Sequence, residues 1–315
     1  MIKHEVSVGV PGKLFVAGEY AVTRPGSWAM VAAIKTDFTV TVTETSGLSA
    51  LTTNVDLPDF SFSLQQLTVP ADSEWAFALS ALCEMNLFAK QEIAIHIESR
   101  LGFGANKKGY GSSASVVVGV IDAVNAFFEL GLSENRRFKM AANAHQKVQG
   151  SGSMGDVAAI TAGGVILYQS PGAQIIPLNF PWKNIYVVRT GAAVKTGEKL
   201  ALSLPDDFYQ MSDEIVLRLA KTKNFEEFKR DLDANQFLLL TNLPEGYMTD
   251  DLELAMSTIR GYDKLAAKIS GSGFGENIIV FDHGAGKTVL QEVKLKLELA
   301  GMIFEKVELA ETKYE

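Results

Sequence analysis

Glycines, serines and lysines cluster in the middle of the chain, in the stretch KKGYGSSASVVVG at residues 107–119. Gly109 and Gly111 allow backbone conformations that other residues rarely adopt, so their N–H groups can converge on an anion. Ser112 and Ser113 add hydroxyl donors, and the apolar run that follows predicts a helix whose N-terminus also favours negative charge. The pattern is typical of a polyphosphate site. The alternative is an ordinary glycine-rich loop with a serine cap on a buried helix.

Three shorter patterns resemble nucleotide-binding motifs without the context that those motifs need. GYGSSA (109–114) fits a dinucleotide pattern, but the predicted strand at 92–98 ends too early to feed a tight strand-to-helix turn. GSGSMG (150–155) follows a predicted helix instead of a strand. GKT (286–288) lacks the first glycine of a P-loop, because Phe281 stands at that position. We assign none of these patterns to the motif it resembles.

The composition indicates a globular enzyme that contains no disulfide. The 315 residues are 47% hydrophobic and 21% charged, which suits one or two domains with a sizeable core. Cys83 is the only cysteine, so an internal disulfide and a cysteine-based metal cage are excluded. The net charge of -8 argues against a nucleic-acid partner. Since no apolar run reaches membrane length and no signal-peptide pattern occurs, we expect a cytoplasmic protein without a membrane partner.

Periodicity and capping residues predict a mixed α/β chain. Strands are predicted at 39–43, 92–98, 164–170, 184–190, 264–270, 277–282 and 302–309. Helices are predicted at 73–88, 112–130, 133–148, 206–222, 225–241, 249–260 and 286–299. The proline-spaced stretch from Pro171 to Pro181 predicts a linker, so we place two domains at 1–180 and 181–315.

Three separated segments together point to one enzyme family. They are PGKLFVAGEYAV (11–22), the GYGSSAS loop (109–115) and KISGSGFGENI (268–278). In order and spacing they resemble the GHMP kinase family, named for galactokinase, homoserine kinase, mevalonate kinase and phosphomevalonate kinase. Within that family, the closest resemblance is to the bacterial phosphomevalonate kinases. The first segment, GSMGDVAAI (152–160) followed by LYQS, and RTGAAVKTGEKL (189–200) carry this narrower resemblance.

The resemblance implies a two-domain GHMP kinase fold of the α/β (α+β) class. The N-terminal domain would be a ribosomal-protein-type unit with a left-handed crossover, the C-terminal domain would be ferredoxin-like, and the active site would lie in the cleft between them. The implied partners are small molecules: ATP with Mg²⁺, and (R)-5-phosphomevalonate as phosphoryl acceptor. A kinase for mevalonate or another small alcohol, and a non-catalytic sensor with this fold, are the alternatives. Intact Lys13, Ser113 and Asp156 argue against the sensor.

The resemblance also implies roles for individual residues. Lys13 would lie beside the transferred phosphoryl group, and Asp156 matches the catalytic base of mevalonate kinase. Nucleotide contacts are implied for Lys107, Lys108, Gly109, Gly111, Ser112, Ser113, Ala114 and Ser115, with Ser113 also beside the metal ion. Acceptor or phosphate contacts are implied for Glu19, Tyr20, Ser153, Arg189, Thr196, Lys199, Gly271, Ser272 and Gly273. The structural alternatives are a solvated lysine for Lys13, a helix N-cap for Asp156 and an ion pair for Glu19.

Two departures from the family pattern bear on the metal and the base. Glu276 interrupts the third glycine-rich segment, so it must point away from phosphate or meet the metal. No carboxylate lies between residues 139 and 155, where mevalonate kinases place a glutamate, so Ser113, phosphate oxygens and water would hold magnesium.

A phosphate monoester has a second pKa of about 6 and is already ionised at pH 7. We therefore rank Lys13 above Asp156, which we expect to position Lys13, and we predict structural roles for the histidines at 96 and 145.

Overall fold

The computed structural model describes residues 4–88, 90–102, 108–172, 174–190 and 202–313. Within these residues the strands are β1 (Glu5–Gly9), β2 (Gly12–Ala17), β3 (Trp28–Ile34), β4 (Phe38–Glu44), β5 (Ser49–Thr53), β6 (Phe60–Phe62), β7 (Ile93–Ser99), β8 (Val165–Gln169), β9 (Gln174–Leu178), β10 (Ile185–Arg189), β11 (Leu265–Ser270), β12 (Asn277–Asp282) and β13 (Ile303–Val307). The helices are α1 (Ala76–Met85), α2 (Ser112–Phe127), α3 (Glu134–Gln149), α4 (Gly155–Ala162), α5 (Asp206–Lys221), α6 (Phe225–Asn242), α7 (Asp250–Arg260) and α8 (Lys287–Leu299). No helix in these ranges is both long and apolar enough to cross a membrane.

Two sheets and four helices form the N-terminal half. One sheet has the order β1-β4-β7-β5-β6, and the other has the order β2-β3-β8-β9. Strand β4 alternates buried and half-buried residues, as the sequence pattern predicts for a strand with one face on the core. Helix α2 lies close to this sheet at Gly119, where a Cβ atom would come within 2.7 Å of both Val10 and Val40. This close approach fixes where the N-terminus of α2 points.

The C-terminal half has the strand order of a ferredoxin-like sandwich. Its elements follow one another as β10, three helices, β11, β12, α8 and β13, and the sheet order is β11-β12-β10-β13. All pairings in this sheet are antiparallel. Every residue of β11 and β12 is buried, because β12 lies between β11 and β10 in the sheet and the edge strand β11 is covered by α6, α7 and strand β2 of the other half. The loop after β11 is thereby brought to the N-terminal half, as the cleft arrangement requires.

Every predicted strand and helix occurs within the described residues, but the strands β1, β2, β3, β5, β6 and β9 and the helix α4 were not predicted. Residues 174–178 form β9, which pairs with β8, so the proline-spaced stretch is only partly a linker. Pro177 is compatible with this strand because β9 lies at the edge of its sheet. Helix α4 was not predicted, since its eight residues are nearly all buried and apolar and give no periodic signal. The sheet changes between β9 and β10, and a domain boundary near residue 180 stays a prediction.

Candidate active site

The glycine–serine turn ends in a left-handed residue that begins α2. Gly111 has φ +80°, and a Cβ atom there would lie 2.9 Å from Cγ of Lys13, so only glycine fits this position. Ser112 and Ser113 occupy the first turn of α2 and are half-buried. Ser115 is different: its hydroxyl donates to the Pro11 carbonyl at 2.9 Å and its N–H to the Gly111 carbonyl at 3.0 Å. Ser115 thus braces the start of α2 against Pro11, and its contact with phosphate stays a prediction.

Strand β2 places Lys13 against this turn. The backbone N–H of Lys13 donates to the Tyr110 carbonyl at 2.9 Å, and its Nζ donates to the Gly109 carbonyl at 3.3 Å. The ammonium group also lies 5.5 Å from the ring centroid of Phe15. Two contacts therefore hold the ammonium group of this half-buried lysine and a third holds its backbone, which disfavours the alternative of a freely solvated side chain. Its role in phosphoryl transfer stays a prediction.

Helix α4 brings Asp156 to the same region. Asp156 lies in the first turn of α4, where its Oδ1 accepts a hydrogen bond from the N–H of Val157 at 2.9 Å. Ile160 of this helix reaches within 3.7 Å of the position that a Cβ on Gly111 would take. Lys13 and Asp156, both described, form no ion pair with each other. No direct contact between the two side chains therefore supports the expectation that Asp156 positions Lys13, which stays a prediction.

Ser153 lies in the turn just before α4 and helps to shape it. Its Oγ accepts from the Gly155 N–H at 3.2 Å, and its carbonyl accepts from the Tyr168 hydroxyl at 2.5 Å. Burial raises the pKa of Tyr168, and nearby Asp156 adds to this shift. Ser153 is half-buried in the turn that leads to Asp156, and its contact with an acceptor stays a prediction.

A buried ion pair joins the two halves of the molecule. Glu19 is 4% exposed and Lys268 is fully buried, and the Lys268 Nζ donates to Oε1 of Glu19 at 2.6 Å. The same oxygen accepts from the Gly271 N–H at 3.3 Å. Next to this pair, the hydroxyl of buried Tyr20 donates to the Ser272 carbonyl at 2.5 Å. The ion-pair alternative for Glu19 is thus what the structure shows, and acceptor contacts by Glu19 and Tyr20 stay predictions.

The third glycine-rich segment binds a carboxylate of its own chain. Oε2 of Glu276 accepts from the Ser272 N–H at 2.6 Å, and the carboxylate also packs against Gly271. Glu276 therefore turns back into its own loop, whereas the sequence led us to expect that it points away from phosphate or meets the metal. Since Gly271 donates to Glu19, the N–H groups of both Gly271 and Ser272 are engaged by protein carboxylates. In this conformation neither N–H is available to line a phosphate as predicted; at Gly273 the prediction stays open.

Side chains of the C-terminal sheet hold the glycine–serine turn from the other side. The amide of Asn277 donates to the Lys108 carbonyl at 2.6 Å. Glu305 accepts at Oε1 from the Tyr110 hydroxyl at 2.8 Å and from Nε of Arg189 at 3.0 Å. The charge of Arg189 is thus paired inside the protein, which competes with its predicted contact to a substrate phosphate. The other predicted basic and hydroxyl contacts at Lys107, Thr196 and Lys199 lie outside the described residues.

A cavity of about 190 Å³ opens beside the start of α2, and the sequence offered no sign of it. Its walls come from separate parts of the chain, and they include Thr53, Val55, Leu57, Trp75, Phe77, Ser112, Ser113 and Val116. No local spacing links these residues, because only the packing of β5, α1 and α2 brings them together. The cavity joins apolar and aromatic walls to the serines at the start of α2, with Ser99 as a third serine in its lining.

The side chain of His145, predicted to be structural, contacts a residue of this site. The residue is 1% exposed on α3, and its Nε2 lies 3.1 Å from Oγ of Ser113. Burial lowers the pKa of the His145 imidazole, and the nearby Asp156 carboxylate opposes this shift. The ring is therefore neutral near pH 7, and it joins helix α3 to the first turn of α2.

Comparisons with known proteins agree with this arrangement. The models of the GHMP kinase N-terminal and C-terminal domains match residues 75–164 and 216–298. Phosphomevalonate kinase of a Streptomyces species is 35% identical over 186 residues, 53% of this chain and 50% of that protein. Mevalonate kinase of Saccharolobus solfataricus is 26% identical over 310 residues, 93% of this chain and 95% of that one.

A solved structure shows the same fold. It is Streptococcus pneumoniae phosphomevalonate kinase in complex with phosphomevalonate and AMPPNP, with a TM-score of 0.82 at 22% identity over 96% of this chain and 99% of that one. The α/β class and the family resemblance of the three sequence segments are thus confirmed. This chain belongs to the GHMP kinase family.

Proposed function

We propose that this GHMP kinase transfers the γ-phosphoryl group of ATP to (R)-5-phosphomevalonate, giving 5-diphosphomevalonate and ADP in the mevalonate route to isoprenoids. The observation that carries the proposal is the convergence of Lys13, the Gly109–Gly111 turn and the first turn of α2 beside an open cavity. The 35% identity to a phosphomevalonate kinase supports this acceptor over about half of the chain.

The nucleotide would bind with its purine in the cavity and its phosphates at the N-terminus of α2. The apolar and aromatic walls of the cavity, with Trp75 and Phe77 among them, suit the flat face of a purine. The N-terminus of α2 offers unpaired N–H groups and a positive dipole end to the phosphates. Lys13 then places its ammonium group on the side of the turn where the γ-phosphate would lie.

Magnesium fits the donor set around Ser113. The described residues contain no group of three or more His, Cys, Asp or Glu side chains that could hold a metal ion. Magnesium bound with a nucleotide does not require such a group, because it takes most of its oxygens from phosphates and water. The Ser113 hydroxyl would supply one protein ligand. When bound, the ion would neutralise charge on the phosphates during transfer.

A phosphate acceptor would not require Asp156 to act as a general base. A phosphate monoester is largely ionised at pH 7, since its second pKa is about 6, and it needs no base to become nucleophilic. The main barrier is then the approach of two anions, which a fixed positive charge lowers. Lys13 could supply this charge, since its ammonium group is held at the Gly109 carbonyl, although Asp156, which we expected to position Lys13, makes no ion pair with it.

Mevalonate kinase activity is the second candidate function. It is favoured by a mevalonate kinase relative that aligns over 93% of this chain, whereas the phosphomevalonate kinase relative aligns over 53%. An alcohol acceptor has a high pKa, so Asp156 would then act as the general base. The two candidates differ in the acceptor and in the importance of this carboxylate.

The acceptor is identified by ADP release from Mg-ATP with phosphomevalonate, mevalonate and homoserine offered in parallel. We expect kcat/KM for mevalonate to be lower than for phosphomevalonate by on the order of 10²-fold or more, because groups that bind the acceptor phosphate would be left unpaired. Comparable values for the two acceptors would contradict the proposal. A preference for mevalonate would establish the second candidate.

Removal of the Ser113 hydroxyl tests the nucleotide site. Ser113→Ala is expected to raise the KM for Mg-ATP by about 3- to 10-fold, since it deletes one hydrogen-bonding and metal-binding oxygen. The KM for the acceptor serves as the internal control and should change by less than about 2-fold. Unchanged kinetics for ATP would show that this serine only begins the helix.

A further inference from the structure

His145 has a buried ring, and the protein around it offers its nitrogens few hydrogen-bond partners. Its Nδ1 is buried and has no hydrogen-bond partner among the described residues, and its Nε2 contacts Ser113 alone. The ring lies against Phe77, with centroids 5.1 Å apart and planes at 34°. An apolar side chain could fill this space without the cost of an unpaired buried nitrogen. A role confined to packing therefore does not explain why a histidine is present.

The contact with His145 restricts the rotation of the Ser113 hydroxyl. A serine hydroxyl has one donor and two acceptor positions, and it rotates among three staggered conformations. The bond to Nε2 of His145 favours one of these conformations. Ser113 is half-buried and is one of the residues that line the cavity, so its side chain can be reached from the space that we assign to the nucleotide. Neighbouring Ser112 lines the same cavity but forms no side-chain bond of this kind within the described residues.

We propose that His145 is a positioning residue that holds the Ser113 hydroxyl toward the phosphates of bound Mg-ATP. The contact joins the C-terminal half of α3 to the first turn of α2, and the packing of these two helices fixes the distance between the ring and the hydroxyl. A functional group held in advance by packing and a supporting hydrogen bond loses less rotational freedom when its ligand binds. The inference rests on the proposed function, because it assigns the ligand that Ser113 meets.

Three substitutions at position 145 separate positioning from packing. Glutamine places its amide near the position of Nε2, asparagine reaches only to the position of Nδ1, and leucine keeps an apolar bulk of similar size. Ser80→Ala is the matched control, because it removes a neighbouring buried hydrogen bond of 3.0 Å from α1 to the Ala144 carbonyl on α3. All variants are compared with the wild type for thermal stability and for the Kd of Mg-ATP by calorimetry.

The affinity for Mg-ATP should depend on whether the side chain at position 145 can reach the Ser113 hydroxyl. We expect the Kd of Mg-ATP to rise by about 2- to 10-fold in His145→Leu and His145→Asn, the range for one lost hydrogen bond, and by less than about 2-fold in His145→Gln and Ser80→Ala. In a Ser113→Ala background, His145→Leu should add little further loss, because the hydroxyl that it positions is gone. The kcat with saturating Mg-ATP should change less than the Kd.

Other outcomes would overturn the inference in different ways. If His145→Leu and the wild type bind Mg-ATP equally, or if the losses in the two backgrounds simply add, His145 only fills space. If the leucine variant does not fold, the comparison of glutamine with asparagine decides, and equal affinities for these two would reject positioning. A wild-type protein that does not bind Mg-ATP would instead reject the proposed function, and with it the ligand on which the inference depends.

Discussion

Lys13→Met is expected to lower kcat by on the order of 10²–10³, the usual cost of removing one preorganised group that stabilises charge in a transition state. The methionine keeps the length and apolar stem of the side chain and removes its charge and its bond to the Gly109 carbonyl. Charge on the bridging oxygen grows toward the transition state, so the KM values of both substrates should change much less than kcat. Steady-state kinetics with each substrate varied in turn measure the effect.

The same substitution at Lys35 is the control. Lys35 follows β3 and forms an exposed pair with Glu308 at 3.1 Å, so Lys35→Met should leave kcat near the wild-type value.

The informative comparison is with Asp156→Asn, which we expect to lower kcat less than Lys13→Met. The acidic limb of its pH–rate profile should persist near pH 6, because that limb reports the acceptor phosphate with its pKa of about 6. A larger defect in Asp156→Asn, with that limb lost, would instead indicate a general base and an alcohol acceptor.

Lys268→Met should destabilise the protein more than most single substitutions. It would leave the Glu19 carboxylate buried without its counter-charge, and Oε2 of Glu19 already lacks a hydrogen-bond partner among the described residues. Breaking a buried pair from one side typically costs about 3–5 kcal/mol. A native protein is stable by only about 5–15 kcal/mol, so the variant should unfold at much lower urea concentration. Urea titration followed by circular dichroism measures the loss.

Lys294→Met makes the same chemical change in an exposed pair. Lys294 and Glu298 are each about half exposed on α8 with a 3.6 Å separation, and such pairs contribute about 0–1 kcal/mol. Adding Glu19→Gln to Lys268→Met removes the stranded charge and should recover part of the lost stability. Equal losses from Lys268→Met and Lys294→Met would show that burial of charge at this site does not matter to the fold.

The catalytic candidates could be found in the sequence because their chemistry depends on residue type over short distances. Gly109 and Gly111 before two serines predict a phosphate-binding turn at a helix start, and the structure places α2 directly after it. The segments around Lys13 and Asp156 were recognised by their order in the chain. Their proximity to the turn was an expectation, which β2 and α4 meet by packing against it.

Only the tertiary structure decided which polar groups remain available to a substrate. Glu19 and Lys268 are 249 positions apart, and His145 and Ser113 are 32 apart, so no local pattern announces either contact. Glu19 accepts from Gly271 across 252 positions and Glu305 pairs with Arg189 across 116, whereas Glu276 contacts Ser272 only four positions away. A hydrogen bond needs atoms about 3 Å apart, and in a folded chain that distance is set by the packing of helices and sheets. The sequence by itself determined which side chains could do the chemistry, and packing decided which of them are already engaged by the protein.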